Sequence, residues 1–140
     1  MNGTLHQATC VAINGRAALI EGPPGCGKSS LALILIDRGA VLIGDDGVSL
    51  EVRDGRLFAS PPPKTAGLLE VRNLGLLEFP TAREIPVALV VRLDSAAPRF
   101  IEVAEVAQRK GVPLPLIKLW PSEQAPARKV ELALDRYGLA

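Results

Sequence analysis

The sequence predicts an α/β domain with a mixed sheet, β-hairpins and one helix directly after a glycine-rich loop. Three observations carry this. An apolar run at 17–20, a glycine-rich loop at 22–27, an apolar segment at 29–38 and a second run at 41–43 follow one another as strand, loop, helix and strand. That is the order of a βαβ unit. Asn14-Gly15 and Asp54-Gly55 each stand between apolar runs, and such dipeptides suit two-residue hairpin turns because both positions take positive φ. The chain has 140 residues, 48% apolar and 22% charged, which is the size of one domain and supplies apolar surface for one core. Residues 1–140 are therefore expected to form a single domain.

Residues 4–13 read as a strand that runs into Asn14-Gly15 and returns at 17–20. Residues 29–38 read as a short helix with a basic last turn, stopped by Gly39 at C′. It is apolar nearly all round, which predicts a buried helix. Residues 41–43 form a third strand that ends in Gly44-Asp45-Asp46-Gly47, and 48–52 with 56–59 flank Asp54-Gly55 as a second hairpin. Ser60-Pro61-Pro62-Pro63 can continue neither a sheet interior nor a helix, so a surface excursion is expected there. Residues 68–77 suit a strand or short helix followed by a glycine-bearing turn, and 85–93 a strand buried on both faces. Residues 101–108 fit neither period, 114–119 are a proline-interrupted strand, and 127–137 close the chain as a helix before Gly138.

Lys and Arg total 16 against 15 Asp and Glu, a net charge of +1, so the global field gives no reason to expect nucleic acid or an anionic membrane. Aromatics are 4%, too few for a base-stacking platform. No apolar run approaches the roughly 20 residues that span a bilayer, and the N-terminus lacks a secretory pattern. The expectation is a soluble, cytoplasmic protein. Cys10 and Cys26 form neither a CxxC pair nor a metal spacing with the lone His6, and no disulfide or zinc is expected.

Gly22-Pro23-Pro24-Gly25-Cys26-Gly27-Lys28-Ser29 matches GxxxxGK[ST] between a strand and a helix. Consecutive backbone N–H groups ahead of a helix N-terminus make a cradle for phosphates. The candidate nucleotide-binding residues are these eight with Ser30. An exposed Lys28 would reach the β- and γ-phosphates and the Ser29 hydroxyl would ligate Mg²⁺; Cys26 reads as loop filler. Phosphoryl transfer also needs carboxylates, one for the metal and one to take a hydroxyl proton. Asp45 and Asp46, at the carboxyl end of the strand after the helix, can supply them, since neighbouring parallel strands open on one edge.

Leu19-Ile20-Glu21-Gly22 running into that loop, then Asp37-Arg38-Gly39-Ala40, Gly44-Asp45-Asp46-Gly47-Val48 and Leu69-Glu70-Val71-Arg72-Asn73-Leu74-Gly75 together carry a resemblance. The sequence resembles the C-terminal catalytic domain of HPr kinase/phosphorylase from about His6 to Leu77, with three motifs in the family's order. The resemblance implies a phosphate-loop fold of the HPr kinase and phosphoenolpyruvate carboxykinase type. It implies a serine kinase for an HPr-like phosphocarrier of the phosphotransferase system, with ATP or pyrophosphate as donor, Mg²⁺, and phosphorolysis in reverse. It further implies Asp46 as proton acceptor with Asp45 beside it, Glu70 as a second Mg²⁺ ligand, Arg72 as a positioning group for phosphate or protein, His6 as an active-site histidine, and a homo-oligomer, a hexamer in the family.

Departures from the family follow. Its N-terminal domain has no counterpart, so a truncated form is expected. Ser30 stands where a glutamate is usual, and Asn73 replaces a glycine, which suggests a different backbone angle there. The family's arginine-bearing loop has no counterpart around Arg83, Arg92 or Arg99, so kinase activity is better supported than phosphorylase activity. Two other readings compete: an ATP-sensing regulatory module that transfers nothing, and a small-molecule kinase on the same loop.

Overall fold

In the computed structural model, which describes residues 3–121 and 126–140, the chain begins with β1 (Thr4–His6), β2 (Thr9–Ile13) and β3 (Arg16–Glu21). After the glycine-rich loop come α1 (Lys28–Asp37), β4 (Val41–Gly44), β5 (Val48–Arg53) and β6 (Arg56–Ser60). A small hairpin of β7 (Leu68–Val71) and β8 (Gly75–Glu78) precedes β9 (Ile85–Leu93), β10 (Glu105–Arg109), β11 (Val112–Leu119) and α2 (Pro126–Tyr137). All but β7 and β8 belong to one sheet, in the order β1-β5-β6-β9-β3-β2-β4 with β11 and then β10 joining at β9. The sheet is mixed: β3 and β11 run parallel to β9, while β6 meets its first residues antiparallel.

β9 is the hub because its sequence is apolar on both faces. Leu89 and Val91 enter one core and Val87 and Val90 the other. α1 and α2 both lie on the first face, with Leu35 of α1 and Val130 and Leu134 of α2 against Ile20 and Leu89. The second face is closed by strands: Leu50 and Leu57 from β5 and β6, and Val112, Leu114 and Leu116 from β11.

Several expectations need correction. Residues 4–13 split into two strands, because β1 leaves β2 and pairs antiparallel with β5, His6 opposite Val48. β3 and β4 are not neighbours; β2 lies between them, antiparallel to both. β4 therefore still runs parallel to β3, and their carboxyl ends share one edge. α1 buries only a stripe, Leu31, Ala32 and Leu35, and leaves Ile34 45% exposed, since only one face of the helix meets the core. Arg38 is its C-cap rather than part of a basic last turn. Pro61 and Pro62 are buried rather than forming a surface excursion, and Pro62 packs against the Gly44–Gly47 turn, its Cδ 3.3 Å from where a Gly44 Cβ would lie. Residues 68–77 resolve as strand, turn and strand, and Asn73 keeps the left-handed angle (φ 74°) that a glycine would supply, which asparagine tolerates.

The hairpin turns are as expected, with positive φ at Asn14, Gly15, Asp54 and Gly55. A third, Lys110-Gly111, has the same angles and turns the ambiguous segment after Ile101 into β10, paired with β11 from Arg109 opposite Val112. Pro113 and Pro115 are two residues apart, so their missing N–H groups fall on one edge, ahead of the Leu116–Leu119 stretch that pairs with β9.

Leu89 is fully buried at the centre of the hub strand, so Leu89→Ala should lower the unfolding free energy by about 2–5 kcal/mol. Urea unfolding with an unchanged m-value checks this.

Candidate active site

The glycine-rich loop leaves β3 at Glu21 and enters α1 at Lys28. Gly22 has no room for a side chain: a Cβ there would sit 2.7 Å from Cys26 Sγ and 3.1 Å from the Leu93 carbonyl oxygen. Gly27 is the N-cap of α1 at φ 103° and no side chain caps the helix. The first-turn N–H groups therefore lack a side-chain acceptor, at the positive end of the helix. Lys28 Nζ donates to the Gly22 and Pro23 carbonyls at 2.8 and 3.1 Å. These bonds draw it across the loop, so it is half-buried rather than exposed. A lysine at a helix N-terminus opposes the helix dipole, and no acidic residue occupies the first turn; a bound anion would offset both. The loop thus fits a phosphate-bearing ligand.

Asp45 ties the neighbouring elements together. Its Oδ1 accepts from Ser29 Oγ at 2.6 Å and from Thr9 Oγ1 at 3.1 Å, and its Oδ2 accepts from the Glu70 backbone N–H at 3.1 Å. Thr9 Oγ1 also accepts from the Asp46 N–H at 3.4 Å. Asp46 is turned out by its positive φ of 57°; its exposed carboxylate has no hydrogen-bond partner among the described residues. With Asp45 and Glu70 it lines a cavity of about 750 Å³ whose other walls include Leu5, Pro62, Leu68 and Leu76.

Among the described residues no three His, Cys, Asp or Glu side chains converge as a metal cage. The oxygen donors Ser29, Asp45 and Glu70 remain, and Mg²⁺ fits such a sparse set because it keeps waters and phosphate oxygens as ligands. Arg72 is not brought to this cluster. It lies exposed in the turn between β7 and β8.

His6 lies in a second cavity, about 630 Å³, lined also by Gln7, Glu21, Gly22, Pro23, Arg92 and Arg109. Its Nε2 is 2.9 Å from Glu21 Oε2. Arg109 grips Glu21 through Nε and Nη2 at 2.9 and 2.6 Å, and Arg92 Nη2 is 4.0 Å away. Burial by itself would push the Glu21 carboxyl up, but its bonds to Arg109 and His6 more than offset this and hold it below the usual carboxylate range.

Sequence reasoning missed Thr9, Glu21, Arg92 and Arg109. The signal for Glu21 was present: a charge closing an apolar strand, next to the loop. Thr9 and Arg109 carry none, because their contacts cross 36 and 88 residues of chain.

A family model described as the HPr Serine kinase C-terminal domain matches residues 2–96. An HPr kinase/phosphorylase from Clostridium tetani is 45% identical over 78 residues, 56% of this chain and 26% of the relative. One from Clostridium botulinum (strain Eklund 17B / Type B) is 47% identical over 75 residues, 54% of this chain and 25% of the relative. The chain thus spans about a quarter of the length of these curated relatives. The solved Hpr(Ser) kinase/phosphatase from Coxiella burnetii superposes with a TM-score of 0.78 at 24% identity, covering 92% of this chain and 86% of that one. It shares the α/β fold with its mixed sheet and few helices.

Because the folded-state value of Glu21 is depressed, its ion pair stabilises the fold fully above the ordinary glutamate value of 4.5. That stability is lost as pH falls through the lowered value. Urea unfolding at stepped pH below 4.5 should show stability falling in the wild type and a shallower fall in Glu21→Gln. The contribution of Glu131, lowered by Arg38 and then Arg128, is the same in both.

Proposed function

The chain belongs to the HPr serine kinase C-terminal domain family, and from that premise we propose that residues 1–140 form a single phosphate-loop kinase domain that phosphorylates a serine of an HPr-like phosphocarrier. The observation that carries this is the division between the two adjacent carboxylates. Asp45 is committed to Ser29, Thr9 and the Glu70 N–H, whereas Asp46 faces a cavity with its carboxylate unengaged among the described residues.

ATP with Mg²⁺ supplies the phosphoryl group and neutralises its charge when bound. Residues 22–30 would form the cradle, and the Lys28 ammonium, bonded in this structure to the Gly22 and Pro23 carbonyls, would turn to phosphate oxygens. Ser29, Asp45 and Glu70 would supply the oxygens that hold the metal. Asp46 would accept the proton of the acceptor serine as the serine oxygen bonds to the γ-phosphorus and the bridging P–O bond to the β-phosphate breaks, releasing ADP. In phosphorolysis the phosphoryl group would pass to inorganic phosphate to give pyrophosphate, and Asp46 would return the proton to the serine oxygen. Arg72, at an exposed hairpin tip, suits contact with the acceptor protein rather than with Asp45. Pyrophosphate presents the same anionic groups to the cradle and is the second candidate donor.

Transfer of label from [γ-³²P]ATP and Mg²⁺ to purified HPr-type carriers tests the reading. Asp46→Asn should lower transfer by about 10²-fold or more while nucleotide binding, measured by calorimetry, persists. Lys28→Ala should cost on the order of 10²-fold with the unfolding midpoint little changed. Tight nucleotide binding without transfer to any carrier would favour a nucleotide sensor and overturn the kinase reading.

A further inference from the structure

We propose that Glu21, anchored by Arg109, is a positioning residue that sets the orientation and tautomer of His6 at the mouth of the glycine-rich loop. The inference rests on the phosphotransfer reading only in taking that loop as the reaction site.

Glu21 ends an otherwise apolar strand, and its side chain is 13% exposed. A carboxylate so withdrawn from water is costly unless its lone pairs are met. Arg109 meets it with the fork geometry of a bidentate pair, one nitrogen to each oxygen. Glu21 Oε2 also receives His6. An ionised carboxylate only accepts, so Nε2 must carry a proton. In the neutral ring Nδ1 is then the bare nitrogen, because the hydrogen bond made by one ring nitrogen fixes the state of the other. The charged groups around the ring are Glu21, Arg92 and Arg109, which share its cavity with Gly22 and Pro23. A neutral His6 held this way has one acceptor nitrogen left for a hydroxyl or water.

Arg109 reaches Glu21 through an arm that lies beyond residues 2–96, the part matched by the family model. β11 pairs with β9 only from Leu116 onward. Its earlier residues Val112 and Leu114 pack on the second core beside Leu19 and Cys10. The hairpin is thereby laid over that face, and Arg109, one residue before the Lys110-Gly111 turn, is delivered to the residue that precedes the loop. A purely structural tie between arm and strand would need Arg109 and Glu21 but would leave the state of His6 unaffected.

His6 is the single histidine of the chain, so its imidazole nitrogen resonances in ¹⁵N-labelled protein are unambiguous. They are read at about pH 8, where an unperturbed ring is neutral, in the wild type, Glu21→Gln and Arg109→Lys. The wild type should show the Nε2–H tautomer alone. Glu21→Gln should show a mixture, because the amide can donate as well as accept, and Arg109→Lys, which keeps the charge but loses the fork, should lie between. Carrier phosphorylation should fall about 10–100-fold in Glu21→Gln with nucleotide affinity retained. An Nδ1–H ring in the wild type, or unchanged tautomer and rate in Glu21→Gln, overturns the proposal. Should Glu21→Gln not fold, the wild-type and Arg109→Lys resonances decide. Should the wild type phosphorylate no carrier, the kinase reading fails alone, since the resonances report on His6 without turnover.

Discussion

The carboxylate of Asp45 joins parts of the chain that would otherwise share only an edge. It receives the first helical serine of α1, the threonine that opens β2 and the backbone of β7. Each bond to a charged acceptor contributes about 1.5–3 kcal/mol, but position matters more than the sum. With Asp45 engaged, the turn from Gly44 to Gly47 is held between the helix and the β7–β8 hairpin. Asp46 is left as the residue that faces outward. Two adjacent, chemically identical side chains thus acquire different surroundings, and the proposed phosphotransfer draws on that difference: one carboxylate on the metal side, one able to take a proton.

The sheet makes this possible by routing its strands unevenly. A strand buried on both faces, β9, lies beside β3, and the helices cover one side of that pair. The other side is covered by strands that curl over it, which places β1 against β5 and the β10–β11 arm over the second core. Both devices deliver residues to the cavity at the start of the glycine-rich loop. His6 arrives because β1 leaves β2 for β5; Arg109 arrives because β11 parts from β9. The electrostatics follow the same division. On the Asp45 side the groups are oxygen donors suited to a hard cation, and on the Glu21 side a carboxylate is compensated by arginines beside a single imidazole.

Much of the architecture was legible from local chemistry. Asn14-Gly15 and Asp54-Gly55 announced their hairpins because positive φ is a property of the dipeptide itself. β9 was visible as an unbroken apolar run, and Gly39 as the residue after the α1 C-cap. Less legible were elements whose state depends on what packs beside them. Pro61 and Pro62 read as surface residues from their lack of donors, yet a proline ring buries well where no ladder bond is required of it. Residues 101–108 showed no clear period because the β10 arm is covered on one face for only part of its length.

By itself the sequence determined the loop with its lysine and serine, the turns, the apolar hub and the carboxylate pair, because each is set by neighbours along the chain. It also carried the family resemblance, which rests on those same short motifs. Only the tertiary structure decided which aspartate is engaged and which faces a cavity, that Arg72 stands apart at a hairpin tip, and that Glu21 gathers His6 and Arg109. The physical reason is range. The contacts that make these assignments bridge 15, 36 and 88 residues, and no local conformational preference of the chain specifies which distant group will arrive to complete a buried charge.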